Sequence, residues 1–126
     1  MSYSCGIDFG TSNSVVAIAR SDSPSPEVIA SEPSCILMTD DRAAQKLYVG
    51  AEAISHYRGA AGSTRFVKSM KTMLSDPGFT NTRIFGRAYT PPHLVRPIIA
   101  HLKNKAEERL GEQVRRVVMG RPASKR

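Results

Sequence analysis

Two apolar runs joined by four polar turn formers place the strongest constraint on how this chain can fold. Ser4 to Phe9 and Ser14 to Arg20 each have the length and apolar content of a strand, and Gly10-Thr11-Ser12-Asn13 between them leaves room only for a tight polar link. The pair reads as a β-hairpin. Val15 to Ala19 is apolar throughout, which suits a strand covered on both faces. Beyond the Ser/Pro-rich stretch 21–26, Glu27 to Ala30 adds a third strand and completes a small antiparallel meander.

After Glu32 the pattern becomes mixed. Ser34 to Met38 and Leu47 to Gly50 read as short strands around a polar loop, Asp40 to Lys46, and Ala51 to Tyr57 has helical composition. Arg65 to Leu74 reads as a helix capped by Ser63 or Thr64 and ended by Asp76-Pro77-Gly78, and Thr82 to Ala88 as a strand. A long helix follows. Thr90 is its N-cap, and Pro91 takes the first position, where a missing N–H costs nothing. Leu94, Val95, Ile98, Ile99, Leu102, Ala106 and Leu110 form one apolar stripe, and Gly111 stands at the C-terminal cap. Val114 to Met119 reads as a returning strand broken by Gly120-Arg121-Pro122, after which no layer remains to cover it.

Composition narrows the function classes. At 126 residues there is material for one modest core. No stretch approaches the roughly 20 apolar residues of a membrane helix, and Met1 runs straight into a strand without a signal-peptide pattern. Cys5 and Cys35 are too few for a disulfide framework and lack metal-ligand spacing, so reduced thiols in a cytoplasmic protein are expected. The net charge of +7 raises nucleic acid as a partner. The basic residues are scattered apart from Arg115-Arg116 and Lys125-Arg126, and they are not interleaved with aromatic rings, which argues against it. His56, His93 and His101 show no ligand spacing, and Glu107 and Glu108 are expected to pair with Lys103, Lys105 or Arg109.

Asp8 and the turn beyond it are the residues best suited to chemistry. A carboxylate within an apolar hairpin is expensive to bury without a partner, such as a hydrated metal ion. Gly10 permits close backbone approach, and Thr11, Ser12 and Asn13 offer N–H, hydroxyl and amide donors to phosphate oxygens. Two readings stand side by side: a Mg²⁺-nucleotide cradle, or a capped hairpin turn in which Asp8 pairs with a basic neighbour.

The segment Gly6-Ile-Asp-Phe-Gly-Thr-Ser-Asn-Ser14 resembles the first phosphate motif of the actin-like ATPase superfamily, and within it the heat-shock-70 chaperones, including DnaK-type and YegD-like members. Further segments agree in order: Pro33-Ser-Cys-Ile-Leu-Met38 with Tyr48-Val-Gly-Ala-Glu-Ala53, Arg65 to Leu74, Tyr89-Thr-Pro-Pro92 with its long helix, and Val117-Val-Met-Gly-Arg-Pro122. The resemblance spans the chain to Pro122. It implies an α/β fold, an incomplete actin-like (ribonuclease H-like) ATPase lobe, in which an antiparallel β-meander precedes an α+β insertion subdomain. Residues 1–32 would be the meander of subdomain IA, 33–112 the insertion IB with its long helix at 91–110, and 113–126 the truncated return strand.

By the same resemblance, Asp8 would act through water on Mg²⁺, and Gly10, Thr11, Ser12 and Asn13 would line the ATP or ADP phosphates. Pro122 would couple nucleotide state to a substrate domain. Lys68 and Lys71 both compete for the family's catalytic lysine. On a helix at roughly 100° per residue, Phe66, Val67, Met70, Met73 and Leu74 make one apolar arc, with Lys71 at its edge and Lys68 nearly opposite. Lys71 is therefore the lysine expected to stabilise the transferring phosphoryl group. The complete protein would hydrolyse ATP to drive the folding of client polypeptides under stress, with co-chaperones as further partners. The second phosphate motif, the adenosine motif and the second lobe are missing from the pattern, so little or no ATPase activity is expected of this fragment. Self-association through an exposed strand edge, a non-catalytic interaction module, and a sugar-kinase or filament member of the superfamily remain alternatives.

Overall fold

The computed structural model describes residues 3–40, 44–59, 62–68, 76–78 and 80–120. Strand β1 (Tyr3–Phe9) pairs antiparallel with β2 (Asn13–Arg20), which pairs antiparallel with β3 (Glu27–Pro33). Strand β9 (Val117–Gly120) returns to the free side of β1 and lies parallel to it, giving the order β3-β2-β1-β9. A second sheet has β4 (Ile36–Asp40) between β5 (Gln45–Val49) and β6 (Ser63–Val67), all antiparallel. Helix α1 (Ala51–Gly59) packs on this sheet. A hairpin of β7 (Thr82–Ile84) and β8 (Arg87–Tyr89) leads into α2 (Pro91–Leu110).

Side-chain alternation explains which faces are covered. Cys5, Ile7 and Phe9 of β1 and Ser14, Val16 and Ile18 of β2 point inward, while Ser4 and Asp8 face out. Helix α2 lies against β1, β2 and β3 and buries Leu94, Ile98, Leu102 and Ala106 at three- and four-residue spacing. Its start and end follow from Pro91 in the first turn and from Gly111, whose left-handed φ of 74° lets its N–H reach the Glu107 carbonyl at 2.8 Å. Pro97 interrupts the ladder inside the helix at a cost of roughly 3 kcal/mol. Burying Leu94, Ile98 and Leu102 around it, at about 1.5–3 kcal/mol each, outweighs that cost. One core joins the two sheets: Ile36, Met38, Val49 and Val67 belong to the same cluster as Ile7, Val16 and Ile98.

A single carboxylate ties the layers together. One Glu32 oxygen accepts the Ala51 N–H at the start of α1 (3.0 Å), and the other meets His101 Nε2 of α2 (3.1 Å). Gly50 has a left-handed φ of 67°, and a Cβ there would collide with the Glu32 side chain. Glutamates 27 and 107 serve similarly: Glu27 bridges Arg20 and Arg109, and Glu107 pairs with Lys103 and accepts the Val114 N–H.

Several expectations are corrected by the structure. Residues 65–67 are strand rather than helix, because Thr64, Phe66 and Val67 suit the pairing of β6 with β4; Lys68 follows the strand, and 69–74 of that expected helix, including Met70, Lys71 and Met73, fall outside the described residues. The stretch 82–88 is a hairpin, turned by Phe85 and Gly86, both at positive φ. Asp40, Gln45 and Lys46 belong to strands, and 41–43 lie outside the described residues. The return strand is shorter than expected, starting at Val117. Strand β2 is fully covered on one face only, with Val15 and Ala17 half-buried on the other.

Burial alone would raise the Glu32 carboxyl, but the Ala51 amide and then the His101 ring outweigh it and hold it below the ordinary carboxylate value. A carboxyl depressed in the folded state stabilises above its unfolded pKa, and that contribution is lost as pH falls through its folded value. Urea unfolding at neutral pH should show Glu32→Gln destabilised by about 1–2 kcal/mol. That difference should shrink as the pH is taken below the normal glutamate range.

Candidate functional site

The link between β1 and β2 is shaped from within by its own backbone and from below by two buried hydroxyls. Gly10 N–H donates to the Asn13 carbonyl at 3.1 Å, and a Cβ on Gly10 would run into that same oxygen, so the turn requires glycine. Ser34, just beyond β3, donates its backbone N–H to the Ser12 carbonyl (2.9 Å) and its hydroxyl to the Gly10 carbonyl (2.9 Å). Its Oγ lies 2.7 Å from Ser14 Oγ. The Ser34 proton is committed to Gly10, so Ser14 is the donor in that pair. Both serines are buried and satisfied.

The brace consumes the inward-facing carbonyls and leaves the outer surface of the turn unused. Thr11, Ser12 and Asn13 are exposed, and their side chains make no hydrogen bond to the described residues. The Thr11 and Ser12 amides are likewise unpaired among the described residues. Thr11 and Ser12 line a cavity of about 460 Å³. Arg58 of α1 and Lys68 after β6 line it too, beside an apolar wall of Ile54, Tyr57 and Phe66. The Tyr57 and Phe66 rings are stacked, with centroids 4.8 Å apart and planes 14° apart, which ties α1 to β6 at the wall. Free amides, hydroxyls and two cations around one cavity suit a phosphate-bearing ligand.

Asp8 sits two residues before the turn, on the exposed face of β1, opposite Val15 on one side and Gly120 on the other. It is not buried and has no basic partner among the described residues, so neither the burial cost nor the basic pairing expected from sequence applies. No group of three metal-ligating side chains occurs among the described residues. A lone exposed carboxylate fits Mg²⁺ held through water and ligand phosphates, as that ion prefers, and does not fit an all-protein cage.

The structure thus brings Gly10, Thr11, Ser12 and Asn13 into one turn, with Asp8 on the adjoining strand. Lys71 and Pro122 lie outside the described residues. Sequence reasoning missed Ser34 and Arg58 and set Lys68 aside on a helical argument that β6 removes. Neither carried a local signal: Ser34 lies beyond β3 and meets Ser14 only through a side-chain contact 20 residues apart, and Arg58 lies on α1. The histidines are structural: His56 stacks on Tyr48 and its Nδ1 contacts the Glu52 carbonyl, His93 Nδ1 accepts the Thr90 N–H, and His101 meets Glu32. Burial pushes both thiols up, Cys5 and Cys35, which keeps them inert.

A mixed α/β arrangement with a braced, donor-rich turn is compatible with part of a nucleotide-binding lobe. No protein-family model matches the chain. It is similar to the chaperone protein DnaK of Mycoplasma mycoides subsp. mycoides SC, 30% identical over 122 residues that cover 94% of this chain and 19% of that protein. This similarity supports a relation to the heat-shock-70 chaperones, over about a fifth of the length of that relative. No described helix is long and apolar enough to cross a membrane.

Ser34→Ala would leave the Gly10 carbonyl and the Ser14 hydroxyl without their buried partner. Urea unfolding should show a loss of about 1–3 kcal/mol. An unchanged midpoint would show that the turn does not depend on this brace.

Proposed function

We propose that the chain is the ATP-phosphate-binding portion of a heat-shock-70-like chaperone of the actin-like superfamily. The observation that carries this reading is the turn itself: Ser14 and Ser34 hold it from below, so the free donors of Thr11 and Ser12 line a cavity with Arg58 and Lys68. Gly10 and Asn13 would keep its shape, and Thr11 and Ser12 would donate to phosphate oxygens. Asp8 would hold Mg²⁺ through water. Bound Mg²⁺ would neutralise phosphate charge, and Lys71 would orient the attacking water. Residues 1–32 and 113–126 would form one subdomain and 33–112 the insertion, with Pro122 as the coupling residue. In a complete protein, hydrolysis would drive cycles of client-polypeptide binding in the cytoplasm, with co-chaperones as regulators.

A second reading, an interaction module, is favoured by one feature. Strand β9 lies at the sheet edge, and Val118 and Met119 are 65% and 48% exposed. Titration with a fluorescent ATP analogue separates the two. The first reading expects Mg²⁺-dependent binding, weakened about fivefold to tenfold by Ser12→Ala through the loss of one hydrogen bond. Residues 1–126 alone should hydrolyse ATP at near-background rates, because this turn supplies only one wall of a cleft. Sustained turnover abolished by Lys71→Ala would contradict that expectation, and absence of any Mg²⁺-dependent affinity would favour the interaction module.

A further inference from the structure

Between Ala53 and Ala106 the sequence carries nine lysines and arginines and a single acid, Asp76. Some of this charge is engaged internally. The Arg65 guanidinium donates to the Arg83 carbonyl (3.4 Å) and the Thr82 hydroxyl (3.1 Å), and Arg83 donates to the Gly86 carbonyl (3.2 Å). Arg87 of β8 and Arg96 of α2 are exposed and have neither an ion pair nor a side-chain hydrogen bond among the described residues. Both line a groove of about 490 Å³, in which Tyr89, Pro97 and Ala100 supply the apolar surface.

Two further features prepare this groove. The turn before β8 holds Phe85 at φ 51° and Gly86 at φ 80°. A left-handed backbone is disfavoured for a residue with a side chain, and Phe85 is held there by packing against the core, which fixes the position of β8. Pro97 and His93, one turn apart on α2, both line the groove. The groove therefore combines two guanidinium groups, unpaired among the described residues, with an apolar surface.

We propose that this groove docks an acidic segment of another polypeptide. Its carboxylates would pair with Arg87 and Arg96, and its apolar side chains would rest on Tyr89 and Pro97. An acidic polypeptide supplies both kinds of group together. A nucleic-acid backbone needs an extended cationic track with stacking rings, whereas this groove has two arginines and one tyrosine.

The test is fluorescence anisotropy of a short labelled peptide alternating glutamate with leucine, added to the full chain without nucleotide, so that the outcome is independent of the phosphate turn. Binding should weaken at least about tenfold in the double variant Arg87→Glu/Arg96→Glu. It should persist in Arg115→Glu/Arg116→Glu, which changes the net charge equally at exposed positions elsewhere. Circular-dichroism melting confirms that each variant is folded. Equal weakening by both variants, no peptide binding by the parent chain, or preferential binding of a single-stranded RNA at physiological salt would each overturn the proposal.

Discussion

The proposed site depends on a relay of two hydroxyl protons. Ser14 donates to Ser34, and Ser34 donates to the Gly10 carbonyl, beneath a turn whose outer surface makes no internal hydrogen bonds among the described residues. Each link is an ordinary hydrogen bond worth about 1 kcal/mol net, but leaving one of these buried groups unmade costs more than making it gains. The relay also fixes where the chain goes next. Ser34 follows β3, so closing the turn sets the exit towards β4 and the second sheet. Donor presentation and the path into the second layer therefore rest on the same serine.

Glu32 performs a comparable task one step earlier in the chain. It caps α1, whose Arg58 and Tyr57 line the cavity, and it pairs with α2, which covers the first sheet. The cavity wall is thus held in place by the carboxylate at Glu32 and the stacked rings of Tyr57 and Phe66. Its chemistry comes from groups that no packing demand consumes: the Thr11 and Ser12 donors and the Arg58 and Lys68 cations.

Much of this was legible in the sequence, for identifiable reasons. The hairpin, the meander and α2 announce themselves through local pattern: turn formers between apolar runs, and an apolar stripe bounded by Pro91 and Gly111. The turn residues were legible because Gly10 and its hydroxyl neighbours have few other uses together. Three things were not. Strand β6 reads as a helix in the sequence because Phe66 and Val67 fit a helical arc as well as an alternating strand, and only pairing with β4 decides between them. The outward direction of Asp8 depends on which face α2 covers, a tertiary fact. Ser34 and Arg58 reach the site through long-range contacts that local spacing does not encode.

The proposed function requires that the backbone amides of Thr11 and Ser12, unpaired among the described residues, receive phosphate. Nuclear magnetic resonance of the amide-labelled chain during titration with Mg-ATP addresses it directly. The Thr11 and Ser12 amide resonances should shift most, with smaller changes at Gly10 and Asn13. Saturating nucleotide that leaves Thr11 and Ser12 unmoved while shifting resonances elsewhere, such as along α2, would contradict it.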